Sequence, residues 1–284
     1  MSRRDSNIKS KVILDSVNRH NNRLTTMVVT MPKIILAEFN THRMFSRNTS
    51  SSRAMPTKKV RDSVVNNTFI PSSIGANCKG MQSNVDLNED MRLRFLDNWM
   101  LAANTMASIH EVMEKIGAHK QVCNRILEPW MYCTVIVTAT HWANFFAQRC
   151  HKDADPSMMA TAFKMLKAYV ESTPVRRSAH IPFIESIPSW MPGEDKIKVS
   201  VARCARVSYT KHDYEHDIDG DIELYDKLIA NKHMSPCEHV AKEFINDVFI
   251  GNFRGWVQHR KTIDGECINN INYEELLDSK PEWV

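Results

Sequence analysis

The sequence predicts an α/β fold, and three observations carry that expectation. Two short apolar runs enclose a polar turn near the N-terminus. A long stretch of three- and four-residue apolar spacing follows, and a β-branched, aromatic run then leads into two further helical patterns.

Taken in order, residues 11–17 and 24–30 are the apolar runs around Asn18-Arg19-His20-Asn21-Asn22-Arg23, and they read as a β-hairpin. Pro32 stands where a helix can begin, because its fixed φ suits a first turn. Ile34, Ile35, Leu36 and Phe39 give that turn a short apolar face running into Thr41-His42-Arg43. Residues 46–53, SRNTSSSR, are expected to form a polar loop. Between Asn88 and Gly117 the apolar positions Phe95, Trp99, Ala102, Met106, Ile109, Met113 and Ile116 share one face, and the two flanking residues are suitable caps. Residues 129–138 (PWMYCTVIVT) read as a strand. Trp142, Phe145, Phe146 and Arg149 belong to the helix after it, and Asp155-Pro156 opens another with Ala162, Met165, Leu166 and Tyr169 inward.

Residues 174–196 hold four prolines and no sustained period, so they are expected to form an irregular connection. A second α/β stretch lies beyond. Residues 199–209 are apolar with embedded arginines, 219–231 are helical in pattern, 240–250 read as strand, and 252–260 read as helix.

Composition narrows the function classes. The chain has 284 residues, 43% hydrophobic and 25% charged, with eight glycines, so collagen-like and low-complexity architectures are excluded. Lys and Arg number 37 against 33 Asp and Glu, a balance too mild for a dedicated nucleic-acid binder. No run reaches the apolar length of a membrane span, and the first twenty residues lack a signal-peptide core. Seven cysteines without a C-x-x-C pair suggest neither a disulfide framework nor a zinc ribbon, so no metal site is expected and a reducing cytoplasm is the expected compartment.

The densest polar segment contains His42, Arg43, Ser46, Asn48, Ser51 and Arg53. Guanidiniums grip phosphate bidentately and short hydroxyl side chains add neutral donors, so this segment suits a phosphate; a merely solvated surface loop is the alternative. Arg149 ends a helix whose other face is aromatic. It can polarise a bound heterocycle from beside an apolar wall, or it can simply cap the helix C-terminus. Cys237 lies two residues from His239, which is weak grounds for a nucleophile and better grounds for a buried filler. A zinc-deaminase reading of Pro236-Cys237 fails, because Val240 occupies the second cysteine's place. No P-loop, G-x-G-x-x-G or G-x-S-x-G occurs.

Thr41-His42-Arg43, seven further residues and then Ser51, with Arg53 two beyond, resemble the R-H-R-x7-S signature of the flavin-dependent thymidylate synthases. Arg125 with Leu127-Glu128-Pro129 resembles that family's R-x-x-L-P segment, and Asn144-Phe145 through Arg149 its N-F-x-x-L-R segment. Ala205-Arg206-Val207-Ser208-Tyr209 and Ser235-Pro236-Cys237-Glu238-His239 are similar to its A-R-V-x-Y and S-P-F-E-H blocks, which normally come first. The chain is thus identified as a circularly permuted, phage-like member of the family, a single domain over residues 1–284 with 174–196 as the join. It departs from the pattern at Thr41, Thr49, Thr138, Thr140 and Pro156-Ser157-Met158-Met159.

The resemblance implies an α/β fold with a mostly antiparallel sheet and long helices. It further implies reductive methylation of dUMP to dTMP with methylenetetrahydrofolate as carbon donor, FAD as hydride carrier and NADPH as reductant. Arg149 would activate the pyrimidine. Ser51, Arg53, Arg125 and Arg149 would hold the nucleotide, with Glu38 at the position of a nucleotide-binding Gln, and His42, Arg43, Asn144 and His239 would contact FAD. The family is homotetrameric, each flavin site drawing on several subunits; neither a membrane nor a nucleic acid is an expected partner. Two alternatives stay open: a related flavin enzyme acting on another pyrimidine nucleotide, for example by hydroxymethylation, and a non-catalytic nucleotide- or nucleic-acid-binding module.

Overall fold

The computed structural model describes residues 7–83, 85–207, 217–266 and 272–281. Ser208 and Tyr209 of the A-R-V-x-Y block, and Cys267, lie outside the described residues.

Strands β1 (Lys9–Val17) and β2 (Arg23–Pro32) form the expected hairpin. Its turn needs a left-handed residue, and Asn21 supplies one at φ 63° while Asn18 Oδ1 accepts from the backbone N–H groups of His20 and Asn22. After a single turn of 3₁₀ helix at Lys33–Ile35 comes the short α1 (Leu36–Phe39). Strand β3 (Ser46–Thr49) and the long helices α2 (Thr57–Asn66) and α3 (Glu89–Lys115) follow. Asn88 caps α3 by accepting from Met91 N, and Gly117 leaves it at φ 85°, as the sequence predicts.

The inner face of α3 is rotated from the expected one. Ala103, Ala107 and His110 are buried, whereas Ile109 and Ile116 are exposed, because small residues let α3 approach α2 and the 3₁₀ turn Asn124–Trp130 closely. A further short turn, α4 (Lys120–Cys123), joins α3 to that segment. Helices α5 (Ala143–Arg149) and α6 (Pro156–Glu171) match the expected elements, and strand β4 (Tyr132–Ala139) starts later than the expected 129–138 because Pro129 and Trp130 belong to the 3₁₀ turn. Asp155 caps α6 by accepting from Ser157 N and Met158 N, a contribution of about 1 kcal/mol.

The main sheet is mostly antiparallel, in the order β3-β4-β2-β1-β5, where β5 (Val175–Arg176) adds in parallel to the end of β1. On one face Met27, Val29 and Met31 lie directly opposite Val137, Val135 and Cys133. Phe39, Phe45, Trp142, Phe145, Met158, Ala162 and Met165 close over them as the largest apolar cluster. On the other face Cys204 and Val207, at the end of α7 (Gly193–Arg206), pack on Ile136 and Val28.

Three expectations are corrected. Segment 46–53 is not simply a loop: Ser46–Thr49 pairs with β4, and Ser46, Asn48, Ser50 and Ser52 all point inward and are buried. The connection 174–196 is tied into the structure by β5 and by β6 (Ala179–His180), with Ile187 and Met191 in an apolar cluster against Val199. Segment 252–260 is not helical. Beyond α8 (Ile218–Ala230) come β7 (Ala241–Glu243), β8 (Phe249–Ile250), β9 (Phe253–Arg254) and β10 (Trp256–Gln258), the last two inside that segment. Gly251 at φ 66° and Gly255 at φ 68° reverse the chain on either side of β9, which no helix permits. Strands β10, β7 and β6 form a second sheet, and α9 (Tyr273–Asp278) is the last element among the described residues. Among the described residues no helix is long and apolar enough to cross a membrane.

Candidate active site

One cavity of about 640 Å³ is lined by Lys33, Leu36, Ser51, Ser52, Arg53, Arg125 and Glu128, among others. Three of the sequence-predicted nucleotide residues, Ser51, Arg53 and Arg125, therefore meet here. Asn124 brings them together. Fully buried, its Nδ2 donates to Ser52 O at 2.8 Å and Met55 O at 3.0 Å, while its Oδ1 lies 2.9 Å from His110 Nε2. Ser52 Oγ also donates to Glu128 Oε1 at 2.5 Å. The 3₁₀ turn carrying Ser51 and Arg53 is thereby locked to the one carrying Arg125. Ser51 begins its turn without using its hydroxyl as a cap, which leaves that group for a ligand.

Arg149 and Glu38 line a different cavity, of about 550 Å³, with Ser73, Lys152 and Asp155 among its walls. Arg149 Nη1 pairs with Glu38 Oε1, and Arg149 Nε donates to His42 Nε2 at 2.9 Å. Both bonds run to side chains and not to the carbonyls that end α5, so this arginine is aimed across the structure and makes no hydrogen-bonded cap. Burial lowers the His42 pKa to about 4, with the Arg149 and Arg47 charges adding to the effect. Arg47 supports the same loop from beneath, donating to His42 O at 2.6 Å.

His42, Arg43 and Asn144 meet in a third cavity, of about 280 Å³, beside His141, Gln148 and the aromatic wall of Phe45 and Phe145. The His42 and Phe145 rings meet edge to face with centroids 4.9 Å apart.

The structure does not bring His239 to any of these cavities. Its ring is fully buried, with Nδ1 2.8 Å from Thr138 Oγ1 and Nε2 3.3 Å from Asn48. The chain of contacts continues through Thr26 Oγ1 to His180 Nε2 and from His180 Nδ1 to Ser16 Oγ. Burial lowers both imidazoles to about 3, so this polar line through the sheet is neutral. Cys237 is buried as well, and burial pushes its thiol up to about 12, which removes the thiolate a nucleophile needs.

Sequence reasoning missed Lys33, Asn124 and Glu128 as parts of this site. Glu128 lies inside a quoted motif, so adjacency to Pro129 was a usable signal. Lys33 and Asn124 carry none, since each is tied to the cavity wall by contacts with residues distant in the chain.

Two solved structures resemble the fold: a UMP/dUMP methylase PolB from Streptomyces cacaoi bound with 5-Br dUMP, and the same enzyme bound with 5-Br UMP. They are 13% and 14% identical, with a TM-score of 0.47 in each case. Each match covers 57% of this chain, and 90% and 88% of the respective solved chains. No curated protein matches the sequence. The family model for the thymidylate synthase complementing protein matches residues 16–175, which include Ser51, Arg53, Arg125 and Arg149. The chain belongs to the thymidylate synthase complementing protein family.

Proposed function

We propose that the protein reductively methylates dUMP to dTMP, with methylenetetrahydrofolate as carbon donor, FAD as cofactor and NADPH as reductant. The observation that carries this reading is the convergence of Ser51, Arg53 and Arg125 on one cavity, although Arg125 lies far from the other two in sequence. A cavity of this size suits a nucleotide, and its guanidiniums suit a phosphate.

The cavity around His42, Arg43 and Asn144 fits part of a flavin by its chemistry. It joins an aromatic wall to a guanidinium, an amide and a neutral imidazole. FAD held there would supply hydride transfer between NADPH and the one-carbon unit. His42, Arg43 and Asn144 would bind and orient it.

Arg149 is the residue we assign to the pyrimidine. Placed against a ring carbonyl in a water-poor site, its charge favours an enolate-like ring and raises electron density at C5. The nucleotide must compete with Glu38 for that guanidinium. Because Ser51, Arg53 and Arg125 lie in one cavity and Arg149 in another, a complete site is best made between copies of the chain, an arrangement a homotetramer would provide. The circular permutation is supported by the family match ending at Val175, at the start of the proposed join.

Titration of purified protein with FAD tests the cofactor assignment. Saturable binding is expected, and no binding at high micromolar flavin would remove FAD from the account.

A further inference from the structure

The first cavity holds a cation that none of the recognised motifs contains. Lys33 opens the 3₁₀ turn after β2, and its backbone N–H donates to Met131 O at 2.8 Å, anchoring it beside the segment that carries Glu128. Among the described residues its Nζ reaches only Ser50 O, at 3.5 Å, the carbonyl immediately before Ser51.

Charge within the cavity is unbalanced. Among the described residues Lys33, Arg53 and Arg125 form no ion pair with an acid; the one hydrogen bond given by the Arg125 guanidinium goes to Gln121 O at 3.2 Å. Among the described residues the one acid on the wall, Glu128, already accepts from Ser52. Three cations therefore face one engaged carboxylate, and a phosphomonoester carrying nearly two negative charges is the complementary ligand. Two guanidiniums grip such a group by its edges, and an ammonium, as a point charge with three donors, suits a remaining oxygen.

We propose that Lys33 is a third phosphate-binding cation of this site, acting with Arg53 and Arg125 to select nucleoside monophosphates over nucleosides. This rests on the reading of the cavity as the nucleotide site. A serine hydroxyl and two arginines alone would hold the phosphate; Lys33 makes the grip dependent on its full charge.

The test is calorimetric binding of dUMP and deoxyuridine to the wild-type protein, Lys33→Met and Lys33→Arg, with inorganic phosphate as a competitor. Met keeps the apolar stem and loses the charge. Lys33→Met is expected to weaken dUMP binding about tenfold or more, leave deoxyuridine binding unchanged and become less sensitive to phosphate competition. Lys33→Arg is expected to stay within about threefold of wild type for dUMP. Wild-type affinity for dUMP in a folded Lys33→Met protein would overturn the assignment of Lys33 alone. Failure of the wild-type protein to bind dUMP would overturn the nucleotide reading and this proposal together.

Discussion

Arg149 donates through Nε to Nε2 of His42 across 2.9 Å, and this bond fixes the state of the imidazole. A ring that accepts at Nε2 carries its proton on Nδ1 and is neutral. Protonating it would place a charge in a buried position and set a third cation beside Arg149 and Arg47, which agrees with the depressed pKa of about 4.

Stability should fall on acidification for the same reason. His42, His180 and His239 all have folded pKa values below the ordinary histidine value of 6.5. Between 6.5 and about 4 for His42, and about 3 for the other two, the unfolded chain binds more protons than the folded one. The neutral rings thus favour the fold fully above pH 6.5, and that contribution is lost as pH falls toward the folded values. Thermal melts from pH 7.5 to 4.5 should show a steadily falling Tm, with a shallower dependence in His42→Gln. A Tm independent of pH across that range would contradict the neutral assignment.

Arg149→Lys separates activation from capping. Lysine keeps a charge at the end of α5, so a capping role predicts a stability change of no more than about 1 kcal/mol and near-normal turnover. The geometry predicts otherwise, because a single ammonium cannot serve Glu38, His42 and a pyrimidine as the planar fork can. A folded protein that retains FAD binding and turns over about 100- to 1000-fold more slowly is expected. Steady-state rates with dUMP, beside a flavin titration of the variant, give the answer.

Cys237→Ala should retain most activity. The thiol is buried and held protonated, so its loss is felt as packing and costs about 1 kcal/mol in a denaturant melt. A dead but folded variant, together with a covalent nucleotide adduct in the wild-type protein, would point instead to thiolate chemistry.

Legibility in the sequence followed how local the determining forces were. The β1–β2 hairpin, α5 and α6 could be read because each announces itself by its own local pattern, and α6 by its Asp155 cap as well. Strand β3 could not be. Its buried side chains are polar, and their partners are remote: Gln258 and Asn252 donate to Ser46, and His239 meets Asn48. Helix α7 was obscured for a similar reason, since Arg203 and Arg206 on its inner side are neutralised by Asp221, an acid on the next helix. In the site, the motif arginines were legible as residue types. Their division between two cavities was not, because it depends on where α1 and the Asn124–Trp130 turn lie in space.

Asp221 therefore offers a stability test independent of the chemistry. Its carboxylate is almost fully buried and takes Arg203 Nε at 2.9 Å and Arg206 Nε at 2.8 Å. Asp221→Ala leaves the buried Arg203 charge without its counter-ion and should cost about 3–5 kcal/mol in a urea titration. A loss below about 1 kcal/mol would show that solvent reaches the pair after the substitution.

The measurement that bears most directly on the central claim is identification of the nucleotide formed when the purified protein is given dUMP, methylenetetrahydrofolate, FAD and NADPH. Mass spectrometry of the quenched reaction should show dTMP, dependent on FAD and on each co-substrate and sharply reduced in Arg149→Lys. A protein that binds both FAD and dUMP yet returns the nucleotide unchanged at C5, or carrying a substituent other than methyl, would contradict the proposed reaction.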